Sequence, residues 1–299
     1  MSQLTSPKVI RDILERHNFR FSKSLGQNFL ADRNIIEKII DGAGVTGEDL
    51  VLEVGPGIGT LTKELVARAK KVVAIEIDKG LFPILEETLG TPSNLTLIHG
   101  DILKLDLKEL TEREFGSHEF KVVANLPYYI NYITTPIIMR FLEEGLPFSS
   151  ITVMIQREVA QRMAAGPGDK EYGSLSVAVQ YYTKPGILCS VPASVFIPRP
   201  KVDSTVVILE KRDRPEVEVY DRELFFRVVR GAFAKRRKIL LNNLTTGELK
   251  EWDREMMLNI LNISGIDPQR RGETLTIEEF ARISNNMITI SEKEAQYRK

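Results

Sequence analysis

The chain has 299 residues, 42% of them hydrophobic and 27% charged, with 41 basic against 41 acidic side chains and no formal net charge. That balance suits a soluble globular protein with one large domain and a smaller one, and it excludes a strongly basic whole-molecule field. Cys189 is the only cysteine, so no internal disulfide can form and a reducing, cytosolic setting is expected. No apolar run reaches the ~18 residues of a membrane span. The opening stretch lacks the apolar core of a signal peptide, and its Asp12 and Glu15 do not suit a transit peptide.

Residues 8 to 19 place Val9, Ile10, Ile13, Leu14 and His17 at helical spacing. "NFLADRNIIEKIIDGAGV" predicts a loop entering a helix, with Asp32 as its cap and Gly42 or Gly44 as its stop. "DLVLEVGPGIGTLTKELVARA" follows as buried strand, glycine turn and amphipathic helix. "KKVVAIEID" is a second strand, and "GLFPILEETLG" a helix expected to break near Pro83. "LTLIHGDIL" and "FKVVANLPYYI" are the third and fourth strands. A helix through "TTPIIMRFLEEG", a fifth strand "SSITVMIQ" and the helix "REVAQRMAA" come next. Residues 187 to 212 predict β structure interrupted by prolines and ending in "STVVILEKR".

Strands alternating with helices at this spacing predict an α/β, Rossmann-like doubly wound sheet. The polar tract "EKRDRPEVEVYD" marks a boundary near residue 213, and the helical periods beyond it predict a small all-helical C-terminal domain. The expected division is therefore 1–213 and 214–299.

"LEVGPGIGT" sets Gly55, Gly57 and Gly59 at the end of the first strand, where glycine lets backbone approach a ligand and frees amide donors at the next helix. A tight strand-to-helix turn without a ligand would use the same residues. The dinucleotide fingerprint wants glycine at position 60, where Thr60 stands. Glu76 ends the second strand, where a carboxylate can accept both hydroxyls of a ribose, with Asp78 as a competitor. Asp101, after the third strand, is placed to accept from an exocyclic adenine amine. Glycine loop, Glu and Asp on successive strand ends resemble the S-adenosylmethionine-dependent methyltransferases. A dehydrogenase binding a pyrophosphate is the alternative on the glycine loop alone.

"NLPY" then falls at the end of the fourth strand, beside the methyl donor. Asn125 offers an amide donor and acceptor, and the Leu126–Pro127 turn a backbone carbonyl. Two acceptors there would hold a nucleobase amine, with Tyr128 as a stacking face worth roughly 1–3 kcal/mol per base. The bland alternative is a proline-terminated strand with a core tyrosine. Three histidines and one cysteine give no metal-ligand cluster, and no metal is expected.

Six motifs in order, "SLGQNFL", "EVGPGIGTLT", "NLPYYI", "VFIPRPKVDS", "FAKRRKILLNNL" and "RRGETL", resemble the ribosomal RNA adenine N6,N6-dimethyltransferases of the small subunit over residues 8 to 285. The resemblance implies S-adenosylmethionine as methyl donor. It implies a substrate of two adjacent adenosines in a hairpin near the 3′ end of small-subunit rRNA, within a pre-30S particle. It implies Asn28, Leu30, Gly55, Gly57, Glu76, Asp101 and Asn125 around the cofactor, with Ile102 packing on its adenine. Asn125, Leu126, Pro127 and Tyr128 would handle the target base, and Phe196 would stack on it opposite Tyr128; without the family, Phe196 reads as a core aromatic. A cytoplasmic monomer that engages no membrane is expected.

Arg227, Arg230, Lys235, Arg236, Arg237 and Lys238 lie within twelve residues with no acid among them, a stripe suited to phosphates or to plain solvation. Lys8, Arg11, Arg16, Arg20 and Lys23 add cations near the N-terminus. The nearest competitor is the large-subunit, antibiotic-resistance type of rRNA methyltransferase, against which "RRGETL" and the tail weigh. A DNA adenine methyltransferase would want a separate recognition domain. A ribosome assembly factor acting by binding is the alternative from another class, and intact Glu76, Asp101, Asn125 and Tyr128 speak against it.

Overall fold

The computed structural model describes residues 4–22, 25–126 and 134–297. Two compact units form: residues 1–160 with 184–211, and residues 161–183 with 212–299.

In the first unit, α1 (Pro7–Arg16) starts on a proline, whose missing N–H costs nothing in a first turn. Its Ile10, Ile13 and Leu14 are buried with Phe29, Ile58, Leu81, Ile84 and Leu85. The short strand β1 (Phe29–Leu30) leads to α2 (Arg33–Gly42), where Asp32 caps by accepting from the Ile35 N–H at 3.0 Å. Then β2 (Leu50–Val54), α3 (Thr60–Arg68), β3 (Lys71–Glu76), α4 (Phe82–Leu89), β4 (Leu95–His99), α5 (Leu107–Phe115) and β5 (Phe120–Asn125) alternate as their apolar periods predict. Pro83 does not break α4. It occupies the first turn, after a tight turn at Lys79–Leu81.

Helix α6 (Thr134–Glu143), strand β6 (Phe148–Gln156) and helix α7 (Arg157–Ala164) follow. Helix α8 (Ser174–Tyr182) leads into β7 (Thr183–Val191), the short β8 (Phe196–Ile197) and β9 (Ser204–Lys211). The main sheet has the order β4-β3-β2-β5-β6-β9-β7. Strands β2 to β6 pair in parallel, and β9 runs antiparallel to β6. Strand β2 sits between β3 and β5, so the order reverses there and opens a crevice beyond the carboxyl ends. Separately, β1 and β8 form an antiparallel ribbon with Leu30 opposite Phe196 and Phe29 opposite Ile197.

The second unit holds α9 (Arg222–Ala232), α10 (Leu240–Leu244), α11 (Arg254–Ile263) and α12 (Ile277–Tyr297), all helical as expected. It also takes in α8, which lies ahead of the expected boundary near 213. Val177 and Tyr181 of α8 join Phe225, Val228, Leu244, Ile260 and Phe280 in one apolar core, so this helix finds its buried face among the tail helices.

Candidate active site

The turn after β2 is built on three left-handed glycines: Gly55 (φ 70°), Gly57 (φ 60°) and Gly59 (φ 84°). The positive φ at Gly57 favours glycine, and a Cβ there would lie 3.1 Å from the Phe29 ring, which would have to give by a few tenths of an ångström. This turn, the end of β3 and the end of β5 line a crevice with the 25–30 segment. Of the expected residues, Asn28, Leu30, Gly55, Gly57, Glu76, Asn125 and Leu126 meet there. Asp101 and Ile102 sit beyond the end of the neighbouring β4 and do not line it. Pro127 and Tyr128 lie outside the described residues.

Glu76 is buried, and burial pushes its carboxyl up to about 7. Its two oxygens accept from the Gly57 N–H at 3.2 Å and the Asp78 N–H at 2.9 Å, which fixes the side chain against the glycine turn. Asp78 is occupied elsewhere: it accepts from the Gly80 N–H at 2.9 Å and from the Gln27 amide at 2.6 Å. Gln27 in turn accepts from the Ser22 N–H at 3.0 Å, tying the N-terminal segment to the end of β3. Asp101 turns one oxygen back to the Leu103 N–H at 3.0 Å.

Asn125 ends β5 and donates its amide N–H to the Asn28 carbonyl at 3.3 Å. With the nitrogen committed, the amide oxygen is the acceptor end, and among the described residues no donor reaches it. The Leu126 N–H donates to the Met154 carbonyl at 3.2 Å, holding the end of β5 to β6. Phe196 is 3% exposed and packs with Leu30, Val123, Met154 and Val206, so stacking on a base would require its ring to leave this packing.

Glu53 belongs to the crevice although its role was not legible in the sequence. It is 1% exposed, and among the described residues neither carboxyl oxygen has a hydrogen-bond partner. Burial pushes it up to about 8. The available signal was an acid inside an otherwise apolar strand, which is costly unless something pairs with it. Gln27 carried no comparable signal.

These features fit S-adenosylmethionine. The orphaned Glu53 carboxyl suits a cationic ligand, Glu76 suits ribose hydroxyls, and the glycine turn admits a ligand where a Cβ would obstruct. Among the described residues no group of histidine, cysteine and acidic side chains could hold a metal ion.

In the second unit the basic stripe is partly neutralised. Arg227 pairs with Glu251, Arg230 with Glu248 at 2.8 Å, and Arg236 with Glu273 at 3.4 Å. Lys235, Arg237 and Lys238 are exposed on the loop between α9 and α10. That loop is anchored from below by Asn243, whose amide donates to the carbonyls of Ala232 at 2.8 Å and Lys235 at 3.1 Å.

Residues 4–288 match the model of the family described as ribosomal RNA adenine dimethylase. A protein of Alkaliphilus oremlandii named ribosomal RNA small subunit methyltransferase A is 55% identical over 287 residues, 96% of this chain and 99% of that one. One of the same name from Bacillus mycoides is 52% identical over 292 residues, covering 96% and 98%. Among solved structures, a dimethyladenosine transferase from Plasmodium falciparum superposes with a TM-score of 0.73 at 26% identity, covering 89% of this chain and 98% of that one. The 23S rRNA methyltransferase ErmE gives 0.65 at 26% identity, covering 87% and 99%. By its match over nearly the whole chain, the protein belongs to the ribosomal RNA adenine dimethylase family.

Proposed function

We propose that this protein transfers methyl groups from S-adenosylmethionine to N6 of two adjacent adenosines in a hairpin near the 3′ end of small-subunit rRNA, giving N6,N6-dimethyladenosines. The observation that carries the reading is Asn125, pinned by its nitrogen to Asn28 with its oxygen unpartnered among the described residues, on the rim of the crevice that holds Glu53, Glu76 and the glycine turn. Relatives at 52–55% identity named for the small subunit favour it over the large-subunit type, whose structural relative stands at 26%.

The cofactor, when bound, supplies an electrophilic methyl group on its sulfonium. Glu76 would accept the ribose hydroxyls, and Glu53 would offset the positive charge. Asp101 and Ile102, just beyond the crevice at the end of β4, would take the cofactor's adenine where it extends past Glu76, Asp101 through the amine and Ile102 by packing on the ring. The Asn125 oxygen accepts from the target N6 amine, with a backbone carbonyl at Leu126 or Pro127 as the second acceptor. Two acceptors favour the tetrahedral, charge-bearing nitrogen of the transition state over the planar amine of the ground state. Alignment supplies most of the remaining acceleration. No dedicated base is needed, because the cationic product nitrogen loses its proton readily. Tyr128 stacks on the base, and Phe196 takes the opposite face once its ring swings out of its packing with Leu30 and Met154. The Lys235, Arg237 and Lys238 loop contacts phosphates in a pre-30S particle, and the enzyme works as a cytoplasmic monomer.

The test is single-turnover methylation of undermethylated small subunits by the wild-type chain and by Asn125→Ala. Removing one transition-state acceptor lowers the rate by about 10²–10³, with calorimetric cofactor affinity nearly kept. Equal rates would remove Asn125 from the chemistry, and with it this reading of the site.

A further inference from the structure

The loop 198–203, between β8 and β9, is tied at both ends to the catalytic rim. At its entry, Phe196 and Ile197 pair with Leu30 and Phe29, immediately after Asn28, whose carbonyl holds Asn125. At its exit, the Asp203 carbonyl accepts from the Arg157 N–H at 3.1 Å, and Ser204 pairs with Gln156. Strand β6 is the neighbour of β5, with Met154 opposite Asn125, so Arg157 stands only three residues beyond the level of the catalytic amide. The Asp203 side chain closes the loop further by accepting from the Ala193 N–H at 3.0 Å.

This anchored loop turns cations outward. Arg199 and Lys201 are exposed, and neither has a hydrogen-bond or ion-pair partner among the described residues. Pro198 and Pro200 flank Arg199 and restrict its backbone, so the charge is held at low conformational cost. Arg157 adds a third cation with a side chain 60% exposed; among the described residues its one carboxylate contact, to Asp203, is long at 3.7 Å. The stripe in the second unit is different in kind, because three of its arginines are already paired with glutamates.

We infer that Arg199 and Lys201, with Arg157 beside them, form a phosphodiester clamp for the RNA strand on either side of the target adenosine. A base presented to Asn125 leaves its own flanking phosphates outside the crevice, and the only groups on this loop that match them are these cations. The clamp rests on the reading of the crevice as the methyl-transfer site. It places single-strand contacts in the first unit.

The double variant Arg199→Gln/Lys201→Gln tests it, with wild type and Lys70→Gln as references. Lys70 is exposed just before β3, at the amino ends of the strands. Binding to undermethylated small subunits is measured directly between 50 and 200 mM KCl. Each contact to a single-stranded phosphate contributes about 0.7 to the salt slope, so the double variant loses roughly 1.4 and binds about tenfold more weakly near 0.15 M. Cofactor affinity and thermal midpoint stay at wild-type values, and Lys70→Gln behaves as wild type. An unchanged slope overturns the clamp, whether or not affinity falls. A wild-type chain that binds the subunits without methylating them would sink the activity reading, while the slope comparison would still decide the clamp.

Discussion

Replacing Glu53 by Gln removes an ionisable group that the folded chain holds in its neutral form. Its carboxyl is carried from an ordinary 4.5 to about 8 by burial, which outweighs the downward pull of the neighbouring Thr62 hydroxyl, with the Glu76 charge adding a smaller upward push. At about 1.4 kcal/mol for each pH unit, ionising it in place costs on the order of 5 kcal/mol. The sign follows from proton counts. Between pH 4.5 and 8 the folded state keeps a proton that the unfolded state has released, so stability falls as pH rises through this range and the penalty is complete above 8. Glu76, raised to about 7, contributes a similar fall that ends near pH 7. Urea unfolding of the cofactor-free protein from pH 5 to 9 separates the two. The wild-type stability should keep declining between pH 7 and 8.5, whereas Glu53→Gln should level off near 7. A bound S-adenosylmethionine should shrink the wild-type decline, because a cation beside Glu53 favours its ionised form. Parallel curves for the two proteins would refute the account of Glu53 as an unpaired buried acid.

Gly57→Ala forces a left-handed φ on a residue with a Cβ and sets that Cβ 3.1 Å from Phe29. It should cost about 1–2 kcal/mol by urea unfolding and weaken cofactor binding in calorimetry. Gly272→Ala would set a Cβ 2.6 Å from the Ala232 carbonyl, beneath the loop between α9 and α10. It should lower the thermal midpoint and reduce subunit binding, with cofactor affinity unchanged. Phe196→Leu should slow methyl transfer by about 5- to 160-fold, as the loss of a stacking face worth roughly 1–3 kcal/mol implies. Its cofactor affinity should hold; a variant that lost only stability would mark Phe196 as packing alone.

Much of this architecture was legible because burial on both faces of a parallel sheet writes itself as apolar runs such as "VVAI" and "VVA", punctuated by glycine and asparagine at the carboxyl ends. Glycine loop, Glu76 and Asn125 could be placed in one crevice from strand order alone. Helix α8 was not placed, because its "SLSVAVQYY" is apolar nearly all round and runs straight into a strand, leaving no clear period or stop signal. The expected break at Pro83 failed because proline reads alike in a first turn and in an interior. The neutralised arginines were invisible for another reason. Glu248, Glu251 and Glu273 are remote in sequence from the stripe they face, and only the packing of the helical unit brings them together.

The most direct measurement is methyl transfer from labelled S-adenosylmethionine to undermethylated small ribosomal subunits, with the products resolved by nucleoside mass spectrometry. Large subunits and duplex DNA serve as controls. The expected result is N6,N6-dimethyladenosine, two per particle, on small subunits alone. Label in large-subunit RNA, or no label on any substrate by a chain that binds the cofactor, would contradict the account.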